Sequence, residues 1–527
     1  MRLLLATDSV MFDNTSMVDF HRKLAAIEHR RNTTAPLPVG IAPQVSSFLY
    51  RNLQSDHKPK AEDFAHRLSK ESRARYAATL KASASVTSSI RTINLGTARP
   101  ASRYFPWQSM TMSGYDPWAQ SDCKGQMESI MKANCEKGEA GWDFGTAMNY
   151  GWATGSPQLL RFITEDVELL HDPPYQDWEC CITSGTTSAL EMIFRILCNL
   201  GDNILTEWYS YPGALEAIRP LGIKAIGIDM DEDGLGPDAL DLKLQQWDPA
   251  NGPKPFVLYT VPCGQNPTGI TQSLQRRKAI YALAEAHDLL IVEDDPYYFL
   301  TLTEDLRNAS LDQYIRTLPT SYLSLDRSGR VLRLDATSKI LAPGLRAGWL
   351  TCCTQLMTKF LCHTECSTTA PSGPSQVMLY KTLDEAWGHE GFIRWLMRLS
   401  SQYRGCRDTM IKACERYLPG KICRWTVPSV GMFVWINVDL STHPSANTDS
   451  PRSSRGCNAP VIEEKIFASA KARGVQVSRG SWFAVDQNLK DTVVAFRMTF
   501  AAADEELLEE AVRRFGAAVR EEFESDD

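Results

Sequence analysis

The chain has 527 residues, 43% hydrophobic and 23% charged, with a formal net charge of −7. Such a length and composition can bury a large core in two or more subdomains, and the mildly acidic balance argues against a nucleic-acid or membrane partner. No apolar run approaches the ~20 residues of a membrane span. Met1 to Thr7 begins like a secretory signal, but Asp8 and Asp13 interrupt it before a full apolar region forms, so export is not expected.

The first 60 residues read as a partly disordered extension, polar and with Asn32-Thr33-Thr34-Ala35-Pro36-Leu37-Pro38 as a flexible stretch. They hold eight Lys/Arg against five Asp/Glu and no helix-turn-helix pattern, which speaks against the DNA-binding part of a regulator. Residues 61–124 read as an N-terminal arm and part of a small domain. They carry Ser89-Ile90-Arg91, the segment Leu95-Gly96-Thr97-Ala98-Arg99-Pro100, and the aromatics Tyr104, Phe105 and Trp107.

A large domain is expected over 125–375, alternating strands with amphipathic helices. One such helix is expected over 273–287, with Leu274, Ile280, Leu283 and Ala284 on one apolar face. Cys180-Cys181-Ile182 reads as a strand, followed by Thr183-Ser184-Gly185-Thr186-Thr187 and a helix start. That turn is either an ordinary N-cap or a cradle for an anion, since helix N-termini present free N–H groups. Glu207-Trp208-Tyr209-Ser210-Tyr211 follows another strand. Phe256 to Val261 reads as a third, leading into the Pro/Gly-shaped turn Pro262-Cys263-Gly264-Gln265-Asn266-Pro267-Thr268-Gly269, where the Asn266 amide can donate to a phenolate oxygen. Leu289 to Val292 is a buried-strand run ending in Glu293-Asp294-Asp295, then Tyr297-Tyr298. A carboxylate such as Asp294 at a strand end can pair with a protonated pyridine nitrogen. Val331-Leu332-Arg333-Leu334 is a further strand, and the polar turn after it sets Lys339 at its end, with Arg346 seven residues on. An amine there can form a Schiff base with an aldehyde, and the guanidinium can hold a phosphate; alternatively both are solvated surface charges. Ligands of open α/β sheets bind at the carboxyl edge where these segments end.

Residues 376–527 are expected to form a C-terminal small domain. It includes the run Gly431-Met432-Phe433-Val434-Trp435-Ile436, an exposed loop over 441–460, and a solvated amphipathic tail helix over 505–514. In Val493-Val494-Ala495-Phe496-Arg497-Met498 one arginine interrupts an apolar strand, so Arg497 is either in an ion pair or waiting for an anion. Of the fourteen cysteines, Cys180-Cys181 and Cys352-Cys353 lie in apolar runs and read as reduced thiols of a cytoplasmic protein. Cys362-His363…Cys366 lacks a second pair at zinc-site distance, so no metal is expected.

Three of these segments occur in order, each behind a strand: Asn-Pro-Thr-Gly at 266–269, Asp-Asp-Pro-Tyr-Tyr at 294–298 and Ser-Lys…Gly-Leu-Arg at 338–346. Over roughly residues 61–525 the chain resembles the fold-type I pyridoxal phosphate aminotransferases, most closely the aromatic, kynurenine and 2-aminoadipate branch. The resemblance implies an α/β fold, with a large domain built on a mostly parallel seven-stranded sheet flanked by helices and a smaller α+β domain. Lys339 matches the Schiff-base lysine that moves the α-proton, Asp294 the pyridine-nitrogen partner, Asn266 and Tyr297 the ligands of the phenolic oxygen, and Tyr211 the stacking aromatic. Gly185, Thr186, Thr187, Ser338 and Arg346 match the phosphate site. Tyr150 matches a tyrosine that reaches the neighbouring subunit's phosphate, which implies a homodimer with shared active sites. Arg497, Asn266, Gly96 and Arg91 match substrate contacts, Arg497 as the clamp on the α-carboxylate. Two departures stand out: Ala336 replaces a hydroxyl phosphate ligand, leaving Thr337 or Ser338 to compensate, and Thr97-Ala98-Arg99 replace glycines in a lid, where Arg99 either reads an acidic group or faces water.

The implied activity moves the amino group of an amino acid, expected to be aromatic, to a 2-oxo acid such as 2-oxoglutarate by a ping-pong mechanism. Tyr104, Phe105, Trp107, Phe433 and Trp482 are the candidate pocket aromatics. Alternatives are a 2-aminoadipate, kynurenine or specialised-metabolism aminotransferase, a pyridoxal phosphate lyase on the same fold, or a regulator carrying such a domain.

Overall fold

The structure, a computed structural model, describes residues 20–43, 45–52, 57–79, 98–118, 130–306, 309–447, 458–486 and 493–524. The first element is helix α1 (Phe20–Thr33). It is followed after a gap by the antiparallel pair β1 (Ser109–Tyr115) and β2 (Ile130–Glu136). Helix α2 (Pro157–Leu170), capped by Ser156 with proline at its first turn, leads into β3 (Trp178–Thr183) and helix α3 (Thr186–Leu197). Then come β4 (Asn203–Glu207), β5 (Lys224–Ile228), the short hairpin β6 (Met230–Asp231) and β7 (Gly234–Leu235), and β8 (Val257–Thr260). Helix α4 (Leu274–Ala286), β9 (Leu290–Asp294), β10 (Val331–Ala336) and β11 (Gly348–Cys353) complete the large domain's frame.

Seven of these strands form one sheet in the order β3-β11-β10-β9-β8-β4-β5, in which β11 runs antiparallel to both neighbours and the other pairings are parallel. The inner strands are buried on both faces, as β8, β9 and β10 are at every residue, because helices cover each side. That is why they read as continuous apolar runs. Since β8, β9 and β10 are parallel, their carboxyl ends lie side by side.

Helix α5 (Gly388–Tyr417), continuous with a π-helical turn at Lys381–Trp387, leads into the C-terminal part. There β12 (Cys423–Trp425), β13 (Phe433–Asp439), β14 (Ser478–Arg479) and β15 (Val493–Thr499) form an antiparallel sheet ordered β12-β13-β15-β14. Helices α6 (Ala459–Ala472) and α7 (Glu505–Glu524) pack on it around a second core.

Several expectations change. The stretch read as a disordered extension contains α1, whose Phe20 and Ile27, two turns apart, are buried. Arg30 forks Glu168 of α2 at 3.1 and 3.0 Å, while Arg31 Nε donates to Glu165 at 3.0 Å and its Nη1 to Asp384 at 2.6 Å. Residues 61–79 do not join the small domain: Phe64 and Leu68 bury in the large core, and all four small-domain strands lie after residue 420. In α4, Leu274 is exposed while Arg277 turns inward, donating to the carbonyls of Gln272 and Pro262 at 3.1 and 3.0 Å. The tail helix is not merely solvated. Leu508, Val512, Phe515 and Val519 of α7 close the second core, and its ion pairs face water. Of the loop expected over 441–460, the described part holds short 3-10 turns and the start of α6.

Before the sheet, residues 45–51 lie along its edge strand β3. Ser47 Oγ accepts from Cys180 N at 2.8 Å, Ser46 Oγ donates to Glu179 at 2.6 Å, and the Arg51 guanidinium sits 4.6 Å from the Trp178 ring centroid. Polar side chains and a cation thus cover an edge that would otherwise be open to pairing.

Candidate active site

The carboxyl ends of β8, β9 and β10 bring three of the motifs together. Asp294, the last residue of β9, is buried, and its Oδ2 accepts from Tyr259 Oη of β8 at 2.9 Å. Its other oxygen, Oδ1, is buried without a hydrogen-bond partner. Burial pushes this carboxyl up to about 7, against the Tyr259 donor, while adjacent Asp295 raises it further and Arg333 opposes. An unbonded carboxylate oxygen in a dry site is costly unless a donor comes to it.

Beside it, buried Tyr297 packs edge-on against Phe433 at 5.4 Å. Burial and the neighbouring Asp294 charge push its phenol up, while the Arg497 charge and the nearby Asn266 amide pull it down. Asn266, held in a turn whose Asn266-Pro267 bond is cis, accepts from Arg497 Nη1 at 2.6 Å. Arg497, on β15 of the small domain, also donates to Ser478 Oγ at 3.2 Å, and its guanidinium lies 4.5 Å from the Phe433 ring centroid and 4.8 Å from that of Phe483. These hydrogen-bond partners are neutral, and no carboxylate among the described residues pairs with it. Of the two readings of this arginine, the ion pair therefore fails.

Lys339 lies three residues beyond β10, half-buried. Its amine is held below the ordinary lysine range by burial and by repulsion from Arg497 and Arg346. Among the described residues no carboxylate pairs with it, so it is not a neutralised surface charge. Arg346 adopts a left-handed backbone (φ 47°) and its guanidinium lies directly against Gly185, where a Cβ would collide with it. Gly185, at φ 92°, is the N-cap of α3 and provides no side-chain cap. The N–H groups of Thr186 and Thr187 are thus left without a side-chain cap beside a cation, an arrangement that can receive an anion. Tyr211 caps the helix Pro212–Ile218, and its ring lies over Gly213, where a Cβ would come within 2.6 Å of the phenol oxygen. Near Lys339, the Thr337 hydroxyl is spent on the Ala347 carbonyl at 2.9 Å and Ala336 is buried, which leaves Ser338 as the hydroxyl free to compensate.

Not every expected residue comes to this place. Tyr150 is 56% exposed and lines a separate cleft of about 420 Å³ with Trp142, Trp152 and residues 38–40. Tyr104 and Trp107 are on the surface, and Trp482 packs edge-on to Phe467 at 5.4 Å, so of the candidate pocket aromatics Phe433 alone contacts a site residue. Arg91 and Gly96 lie outside the described residues. Arg99 is half-buried and donates to the Ile41 carbonyl at 3.0 Å.

Sequence reasoning missed a buried polar layer beneath the site. Glu207, at the end of β4, accepts from Val261 N at 3.2 Å and closely from Thr260 Oγ1, and burial pushes it up to about 7. Arg333 of β10 forks Asp335 at 2.9 and 2.7 Å and reaches Glu293 and Asp295 at 3.1 and 3.2 Å. Its signal was the one that exposed Arg497: a lone arginine inside an apolar strand. Among the described residues, no three His, Cys, Asp or Glu side chains gather as a metal site. No helix there is long and apolar enough to cross a membrane.

Residues 117–515 match the profile of aminotransferase class I and II. The chain belongs to that family. It is 46% identical over 479 residues to an aminotransferase of Arthroderma benhamiae, covering 89% of this chain and 94% of the relative. It is 38% identical over 476 residues to an aromatic amino acid aminotransferase of Schizosaccharomyces pombe, covering 88% and 98%. The crystal structure of an aminotransferase from Candida albicans superimposes with a TM-score of 0.81 at 33% identity, covering 88% of this chain and 100% of that one. Class I and II aminotransferases are pyridoxal phosphate-dependent transaminases, and this chain is an enzyme of that kind. Its residues fit the group. The orphaned Asp294 Oδ1 suits a ring N–H, the cradle of α3 with Arg346 suits a phosphate, and the Lys339 amine suits an aldehyde.

Proposed function

We propose that this aminotransferase binds pyridoxal 5′-phosphate through Lys339 and takes its amino group from aromatic amino acids, delivering it to a 2-oxo acid such as 2-oxoglutarate. The observation that carries the proposal is the half-buried amine of Lys339, three residues beyond the end of β10 and paired with no carboxylate among the described residues. When bound, pyridoxal phosphate supplies an electrophilic carbon for the amino group and a ring that draws electrons from the bonds at the α-carbon.

The chain's own groups do the rest. Arg497 receives the α-carboxylate, its fork turned by Asn266 and Ser478. Lys339, its pKa lowered by burial and by the Arg497 and Arg346 charges, carries the proton removed at the α-carbon. Asp294 holds the ring-nitrogen proton through Oδ1, Asn266 and Tyr297 hold the phenolic oxygen, and Tyr211 covers the ring. Gly185, Thr186, Thr187, Ser338 and Arg346 hold the phosphate. Tyr150 reaches the phosphate of a second copy, so the working form is a homodimer; its exposure within one chain supports this. The first amino acid leaves as its oxo acid with the nitrogen retained, and a second oxo acid takes it away, which is ping-pong. Phe433 and Phe483 beside Arg497 support an aromatic substrate, as does the printed activity of the fission-yeast relative. Twelve cysteines among the described residues are free, which supports a reducing, cytoplasmic setting.

The test is to add amino acids singly to purified protein and follow both the cofactor absorption and the oxo acid released. Aromatic amino acids should each yield one oxo acid per site alone, and many turnovers with 2-oxoglutarate. Continued turnover without an acceptor would establish a lyase instead.

A further inference from the structure

Tyr259 belongs to none of the recognised motifs, yet it is the hydrogen-bond donor to Asp294. It sits on β8, next to β9 in parallel register, fully buried, with its ring held edge-on by Phe194 of α3 at 6.2 Å. Its phenol donates to Asp294 Oδ2 at 2.9 Å, while Oδ1 stays unbonded. The two carboxylate oxygens are therefore unequal: one is pinned to the sheet and the other presented. Burial and the charges of Asp294 and Glu207 push the Tyr259 phenol well above its ordinary range, so it remains a donor. The other groups facing Asp294 are Asp295, Arg333 and Tyr297, and none of them donates a hydrogen bond to it among those described.

We propose that Tyr259 is a positioning residue for the amino-group transfer, which by donating to Asp294 Oδ2 aims Oδ1 at a protonated ring nitrogen. This rests on Asp294 being the ring-nitrogen partner. A carboxylate with one oxygen fixed by a buried phenol has one orientation left, and in a dry site a fixed dipole costs no reorganisation when the ligand arrives. Because Phe194 lies on the helix whose N-terminus faces Arg346, the same helix braces the Tyr259 ring and offers the phosphate cradle.

Purified protein stripped of cofactor is titrated with pyridoxal phosphate and with its 1-deaza analogue, whose ring nitrogen is replaced by C–H. The ratio of the two affinities reports the ring-nitrogen contact alone. Tyr259→Phe should lower the wild-type preference for pyridoxal phosphate about tenfold, the weight of one hydrogen bond to a charged group, while affinity for the deaza analogue is unchanged. Replacing Tyr259 by 3-fluorotyrosine, a stronger donor of the same shape, should raise the preference, and this variant keeps the test usable if the phenylalanine variant folds poorly. An unchanged preference in both variants, or equal losses for both ligands, overturns the proposal. Asp294→Asn is run in parallel. If it keeps the wild-type preference, the assignment of Asp294 itself fails. If it loses the preference and the Tyr259 variants do not, only the role of Tyr259 fails.

Discussion

At the scale of single residues, two arginines carry the clearest lesson. Arg333 and Arg497 each interrupt an apolar strand, and nothing in either local sequence tells the two apart. The fold separates them: Arg333 is answered by Glu293, Asp295 and Asp335, Arg497 by neutral oxygens and two aromatic rings. What decides is the neighbouring strand, which no local window contains. Arg497→Lys should raise KM for amino acids by about 10- to 100-fold, since a point charge replaces a fork, with a smaller change in kcat. Steady-state kinetics read the split. Lys339→Ala should lower kcat/KM at least about a thousandfold, from the loss of both nucleophile and proton carrier; turnover at the wild-type rate would refute the assignment. Glu207 yields a pH effect. Its carboxyl is raised from 4.5 to about 7 in the folded chain, so between those values the folded state holds a proton that the unfolded state has lost. Stability therefore falls as pH rises through this window, by up to about 3 kcal/mol by pH 8, and Glu207→Gln should flatten that slope in denaturation curves recorded from pH 5 to 8.

Among elements, the strands were legible and one helix was not. β8, β9 and β10 are buried on both faces and so are unbroken apolar runs ending in polar turns, a pattern that survives without any partner in view. α1 lacks such a pattern, because it buries only Phe20 and Ile27 and docks through ions. Its partners, Glu165, Glu168 and Asp384, are distant in the chain. Arg31 stands among Glu165, Asp384 and His389, the last stacked on Phe162 at 4.3 Å and bonded to Glu165 at 3.2 Å. Burial opposes the charge on His389, but the nearby carboxylates of Asp166 and Glu165 outweigh it and raise its pKa. Arg31→Ala leaves buried carboxylates short of a cation, and should destabilise the protein by on the order of 2–3 kcal/mol, discounted because the arginine is partly solvated. Chemical denaturation measures the loss. Since the folded pKa of His389 is raised, its contribution is complete below the ordinary histidine value and fades as pH climbs through the folded one.

For the whole molecule, several aromatics of one chain meet solvent rather than the core. Tyr104, Trp107 and Tyr150 are more than half exposed, while Phe64 and Leu68, from the start of the stretch 61–124 read as arm and part of a small domain, bury in the large core. The pocket aromatics could not be sorted from sequence, because distant segments decide which of them meets Arg497, as Phe433 does, and which meets solvent, as Tyr104 and Trp107 do. If two copies share phosphate contacts, cofactor retention depends on protein concentration. Sedimentation velocity should give a dimer, and dilution through its dissociation constant should release pyridoxal phosphate in step with the monomer, more readily in Tyr150→Phe.

The docking of α1 also has a consequence for synthesis. Arg31 and Asp384 are 353 residues apart, so although Glu165 and Glu168 can receive α1 once α2 has been made, its seat is complete only after most of the polypeptide has been synthesised. Until then the helix is held from one side alone, and a nascent chain stalled before residue 384 would be more open to proteases over 20–33. Limited proteolysis of such stalled chains should cut within 20–33 more readily than in chains from which residues 381–390 have emerged.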